Sequence, residues 1–192
     1  MVEPGIDLMS VMSDRMPMMV EDIKIELFKA ADEFEVASLI KHNMERFDDS
    51  EAVLAATFRR LNNLFQIYRK EGCSLFVAKS VGDGNKSKSV ACAGLGPLHG
   101  LPPSEGVGEI RDLVVNENFR GQGIGSRLLH RCIDEARNLG YQRLYLETSQ
   151  NMVNARKLFL RSGFRPVTES TATESMSQDL PCYFLLENLQ EN

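Results

Sequence analysis

The chain has 192 residues, 43% apolar and 26% charged, with a formal net charge of −5. This allows one domain with a full-sized core, and the composition is that of a soluble globular protein rather than a disordered one. The acidic balance argues against a nucleic-acid partner, and no apolar run approaches the ~18 residues needed to span a bilayer. The four cysteines, Cys73, Cys92, Cys132 and Cys182, show no C-x-x-C spacing. They read as buried free thiols in a reducing compartment, the cytoplasm.

Residues 1–20 hold six of the nine methionines, interrupted by Asp7, Asp14, Arg15 and two prolines. With no basic region followed by an apolar core, they read as a flexible extension rather than a signal peptide, ahead of one domain over 21–192. Ile23-Lys24-Ile25-Glu26-Leu27 alternates and predicts the first strand. Asp32 with Glu35 predicts a capping box for a helix carrying Val36, Ala37, Ile40, Met44 and Phe47. Asp48 with Glu51 repeats that logic for the stripe Leu54, Phe58, Leu61, Phe65 and Tyr68, closed by Gly72. Residues 74–79 and 90–95 read as strands joined by a hairpin loop over 81–86, and a Gly- and Pro-rich loop follows over 96–108. Next come a strand over 109–115, a helix over 124–139, a strand over 143–148 and a helix over 152–162. A Ser/Thr/Glu-rich loop over 168–179 leads to a closing strand over 182–189. His42 and His130 fall in predicted helices without a partner at metal-ligand spacing, so no metal site is expected.

Between strand 109–115 and helix 124–139 lies Arg120-Gly121-Gln122-Gly123-Ile124-Gly125-Ser126. Its glycines let backbone approach a bulky anion, because no Cβ intervenes. The first amides of the helix lack intrahelical partners and carry the positive end of its dipole, which suits a phosphate group. Arg120 adds a permanent cation. The dinucleotide fingerprint would need glycine where Ser126 stands, and the triphosphate loop would need a Gly-Lys-Ser/Thr ending.

Arg-x-x-Gly-x-Gly after the strand end Leu113-Val114-Val115 resembles the first motif of the GNAT family of N-acetyltransferases. A second motif of that family is matched by Ala155, Leu158-Phe159 and Gly163-Phe164, with Phe159 where the family has tyrosine. The resemblance implies an α/β fold: a mixed central sheet with splayed parallel strands and flanking helices. In that family acyl-coenzyme A fills the wedge between the two splayed strands. Acetyl-CoA is then the co-substrate. The turn Arg120 to Ser126 would grip its pyrophosphate, and the amides of Leu113, Val114 and Val115 would orient the thioester, one of them facing the developing oxyanion. Asn151, or Asn154, is a candidate pantetheine contact at the start of the last helix, although Met152 stands where the family often has asparagine.

The acceptor amine must lose a proton, and a positioned base is worth ~10² to 10⁴. Glu109 is the first candidate, since several resembled enzymes carry a base glutamate on this strand. The plain alternative is a carboxylate paired with Arg111 or Arg143, and His99 in the preceding loop is a second candidate base. The family's tyrosine commonly protonates the departing sulfur, and Phe159 has no proton to give. Ser149, Ser162 and Tyr183 are substitutes the sequence cannot rank. The reading is an N-acetyltransferase acting on a primary amine of a small molecule or peptide by direct attack, as a monomer or homodimer, with no membrane or nucleic-acid partner. Its rivals are a coenzyme A-binding sensor without catalysis and a transferase using a longer acyl group.

Overall fold

The computed structural model describes residues 23–44, 58–81, 87–167 and 181–190. The expected extension over residues 1–20, the capping pair Asp48 and Glu51, the hairpin tip over 82–86 and the loop over 168–179 lie outside them. Among the described residues seven strands form one sheet. They are β1 (Ile23–Leu27), β2 (Ser74–Val81), β3 (Ser87–Pro97), β4 (Val107–Val115), β5 (Arg143–Ser149), β6 (Arg165–Val167) and β7 (Pro181–Leu186). Their order is β1-β2-β3-β4-β5-β7-β6. Only β4 and β5 run parallel, joined by a helix as such a pair requires. The helices are α1 (Glu33–Met44), α2 (Leu64–Tyr68), α3 (Ile124–Asn138) and α4 (Val153–Arg161).

The sheet is covered on both faces. On one, Ile124, Leu128, Leu129, Cys132, Ile133 and Ala136 recur at helical spacing along α3 and pack over Ala91, Ala93, Leu95 and Leu146. On the other, Val36, Leu39 and Ile40 of α1 join Leu61, Leu64 and Tyr68 over Leu75, Val77 and Cys92. The middle strands β2 and β3 are therefore apolar on both sides, and each large side chain so buried contributes about 1.5–3 kcal/mol.

Two local expectations change, and one strand is additional. The capping box of Asp32 and Glu35 does not form. Asp32 accepts the amide of Lys29 at 3.0 Å, ending a short 3₁₀ turn (Ala30–Asp32), and pairs with Lys79 at 2.7 Å. Glu35 instead accepts the amide of Ser89 at 2.9 Å, which ties α1 to β3. The second apolar stripe is not one helix either: helical residues 58–61 end in a turn at Asn62 and Asn63 before α2 begins. β6 (Arg165–Val167) forms between the last helix and the loop expected over 168–179, where no element was expected.

Candidate active site

The parallel pairing of β4 and β5 is short. It runs from Val107↔Arg143 to Ile110↔Leu146 and stops, although β4 continues to Val115 and β5 to Ser149. Beyond that point β4 keeps only its β3 partner, and β5 only β7. A wedge opens between them, with Leu113, Val114 and Val115 half-buried along its β4 edge. Strand amides in such a place need partners from outside the sheet.

A β-bulge at Asp112 marks where the wedge begins. Cys92 pairs with Val114 and Gly94 with Arg111, so Asp112 and Leu113 together oppose Ala93. Asp112 has φ 55°, a left-handed conformation that aspartate tolerates better than most residues. The extra residue resets which face each side chain meets. Ile110 and Leu113 pack with the α3 face, whereas Asp112 and Val114 meet the α1 face. Glu109 and Arg111 also lie opposite Ile110, by simple alternation.

At the mouth of the wedge stands the glycine turn. Gly121 and Gly123 have φ 77° and 76°, and a Cβ on either would meet nothing within 4 Å. Gly123 caps α3, so the amides of Ile124, Gly125 and Ser126 form its free first turn. Gly125 sits against Val115 and Leu158, which seats the helix start between β4 and α4. Arg120 donates through Nε to the Val115 carbonyl at 3.0 Å and through Nη2 to Asn43 Oδ1 at 2.8 Å. It thus braces the turn against the strand end and α1, while remaining exposed. Gln122 has a buried Oε1 with no hydrogen-bond partner.

On the α1 face of β4 the charges come in two pairs. Glu109 lies 3.3 Å from Arg111, whose Nη2 also donates to the Pro97 carbonyl at 2.7 Å. Of the two arginines anticipated as its partner, Arg111 holds it. Asp112, whose side chain is 5% exposed, accepts from both Nη nitrogens of Arg60 at 2.5 Å and from the Tyr68 hydroxyl at 2.6 Å. Burial raises the Tyr68 pKa well above the usual phenol value, and the Asp112 charge adds to that, so the hydroxyl stays a donor. The Asp112 hydrogen bond likewise raises the pKa of Arg60. Farther along this face Tyr145 and Tyr183 stack at 5.8 Å.

Phe159 is 5% exposed. Its ring meets Phe164 at 6.2 Å and, edge on, Phe184 at 5.7 Å. It is a core residue, as its helix spacing with Ala155 suggested. Ser149 ends β5 and Ser162 caps α4, both half-buried. Tyr183 belongs to the stack on β7, whereas Phe184 beside it packs with Phe159. Asn151 and Asn154 flank the start of α4, both exposed, and His99 is exposed in the loop after β3. Among the described residues no cluster of His, Cys, Asp or Glu could hold a metal. The sequence reading missed the Arg60–Asp112–Tyr68 cluster. Its one signal was an aspartate at a strand position whose alternation with Ile110 marks it as core.

The profile of the acetyltransferase (GNAT) family matches residues 36–164. The chain is 27% identical over 107 residues to the uncharacterized N-acetyltransferase YjgM of Escherichia coli K12, covering 56% of this chain and 60% of that protein. It is 41% identical over 59 residues to the aminoalkylphosphonate N-acetyltransferase of Salmonella typhimurium LT2, covering 31% of this chain and 38% of that one. It thus spans less than two thirds of these relatives. In three dimensions it resembles yncA from Salmonella typhimurium, solved with its cofactor acetyl-CoA, with a TM-score of 0.69 and 19% identity over 89% of this chain and 96% of that one. A GNAT-family acetyltransferase from Staphylococcus aureus Mu50 gives 0.65 and 19%, over 88% of this chain and 99% of that one. With a family match across most of its sheet, a strand pair that splays and a glycine turn at the wedge, the chain belongs to the acetyltransferase (GNAT) family.

Proposed function

We propose that the protein transfers an acetyl group from acetyl-coenzyme A to a primary amine of a small molecule or peptide, by direct attack. The observation that carries this is the register of β4 and β5, which ends at Ile110↔Leu146 beside the first turn of α3. The amides of Ile124, Gly125 and Ser126, with Arg120, would hold the pyrophosphate. Gly121, Gln122 and Gly123 would line its approach. The open edges of β4 and β5, near Asn151, would pair with the amides of the pantetheine arm. An amide from Leu113 to Val115 would polarise the thioester carbonyl.

The amine nitrogen bonds to the carbonyl carbon, the carbon–sulfur bond breaks, and the amine's proton leaves, taken in this reading by Glu109. A thiol pKa of about 8.5 makes the thiolate a fair leaving group without help, so Phe159 need not abolish turnover. Three of the four cysteines favour direct attack. Burial pushes Cys132 up to about 12 and raises Cys92 and Cys73, so none of these three offers a ready thiolate. No described helix is long and apolar enough to cross a membrane. The free thiols support the cytoplasm as the compartment in this reading.

The second reading, a coenzyme A-binding sensor, is favoured by Phe159, a buried ring where the family has a hydroxyl. The test is a broad panel of amines with acetyl-coenzyme A, following free thiol, in wild type and Phe159→Tyr. Thiol release with one amine class and acetylated product are expected. If Phe159→Tyr is faster, thiolate departure limits the rate. If neither protein releases thiol above background while both bind acetyl-coenzyme A, the sensor is the better account.

A further inference from the structure

We propose that Asp112 is a positioning residue for acyl transfer: held by Arg60 and Tyr68, it fixes the β4 bulge and so aims the backbone N–H of Leu113 into the wedge. This rests on the transferase reading above.

The geometry of one peptide unit carries it. The carbonyl oxygen of Asp112 accepts the Cys92 thiol at 3.3 Å, and Cys92 lies on β3. A trans peptide is planar, and its C=O and N–H point in opposite directions. The N–H of Leu113 therefore points away from the Cys92 thiol; that thiol is carried by β3, on the α1 face, and the edge of β4 opposite β3 is the one from which β5 has parted. A donor fixed at that spot faces the carbonyl oxygen of a thioester seated in the wedge.

Such a peptide needs holding, because Asp112 sits in a left-handed conformation without being glycine. Its carboxylate meets a two-pronged guanidinium and a phenol, a geometry that fixes orientation as well as distance. The sheet leaves room for this. A Cβ on Gly94 would lie 2.1 Å from the Tyr68 hydroxyl, so glycine lets the phenol reach across β3. The ordinary alternative is that the cluster only fastens residues 58–68, two short helical pieces with a turn between them, to the sheet. That role would show in stability and not in turnover per folded molecule.

The test uses the full chain with an amine it accepts, comparing wild type, Asp112→Gly and Tyr68→Phe. Glycine keeps the left-handed backbone accessible and removes the anchor. Tyr68→Phe removes one hydroxyl from an otherwise unchanged cluster. Calorimetry gives the acetyl-coenzyme A affinity and counts active sites, melting gives stability, and thiol release gives kcat and KM. Asp112→Gly should lower kcat by ~10², the scale of losing one oxyanion donor. Tyr68→Phe should lower it by about threefold or more, and both should keep acetyl-coenzyme A affinity within about threefold. A folded Asp112→Gly protein with kcat within about threefold of wild type overturns the proposal. So does a fall in kcat matched by an equal fall in affinity. If Asp112→Gly does not fold, Tyr68→Phe decides on the same limits. An inactive wild type would instead sink the transferase reading itself, so the two failures are told apart.

Discussion

Glu109 and Arg111 lie on one face of β4, 3.3 Å apart, and their pairing gives Glu109 two conceivable jobs. It can take the amine's proton, or it can hold Arg111 against the Pro97 carbonyl. Glu109→Gln separates them, because glutamine keeps the shape and loses the basicity. As a base, Glu109 should be worth ~10² to 10⁴ at neutral pH. Raising the pH should then partly restore the variant, since a lysine-like amine with pKa about 10.4 becomes neutral unaided. The measurement is kcat/KM from pH 6.5 to 9.5 in both proteins, with the folded fraction checked. A ratio that stays flat across pH removes Glu109 from proton transfer and leaves it the partner of Arg111.

The glycine turn was legible as an element, because Gly121 and Gly123 directly before an apolar helix stripe, with Gly125 in its first turn, mark a tight turn into a helix. Its geometry sharpens the experiment. At φ 76°, Gly123 has open space around it, yet a β-branched residue there strains the backbone. Gly123→Val thus tests strain and access together. Gly123→Asn is the cleaner partner, since asparagine tolerates the left-handed region. Both should weaken acetyl-coenzyme A binding by about tenfold or more, or about 1.4 kcal/mol, while only the valine form melts measurably lower. Unchanged calorimetric affinity in a folded Gly123→Asn protein would remove the turn from the binding site. The bulge in β4 was not legible in the same way. Arg111-Asp112-Leu113-Val114-Val115 reads as plain strand, and pairing Asp112 with Arg60 closes 52 residues of chain that no local pattern reports. β6 escaped for another reason. It is three exposed residues with a proline in the middle, an edge strand with almost none of the usual strand pattern.

At the scale of the whole molecule, alternation and helical spacing predicted most of the sheet and the two helices between its later strands. They did so because those elements each bury one strongly apolar face. What they could not predict was the end of pairing between β4 and β5, which depends on the bulge and on contacts from the opposite face. The same two-sided burial has a consequence for stability at high pH. Cys132 lies fully buried in the α3 stripe, and burial, with Glu135 nearby adding to it, pushes its pKa from 9.0 up to about 12. Burial also raises Cys92 well above the usual thiol value and brings Tyr141 to about 12. Between pH 9 and 12 the unfolded chain releases these protons while the folded chain keeps them. The folded state then binds more protons, so stability falls as pH rises through that window. Each such group adds a slope of up to about 1.4 kcal/mol per pH unit. Cys132→Ala should therefore be less stable than wild type at pH 7, because it leaves a small cavity, but should lose stability more slowly above pH 9. Urea unfolding under reducing conditions at pH 7, 9 and 10.5 measures both terms. The gap between the two proteins should narrow steadily with pH, and a constant gap would show that the Cys132 thiol titrates alike in the folded and unfolded chains.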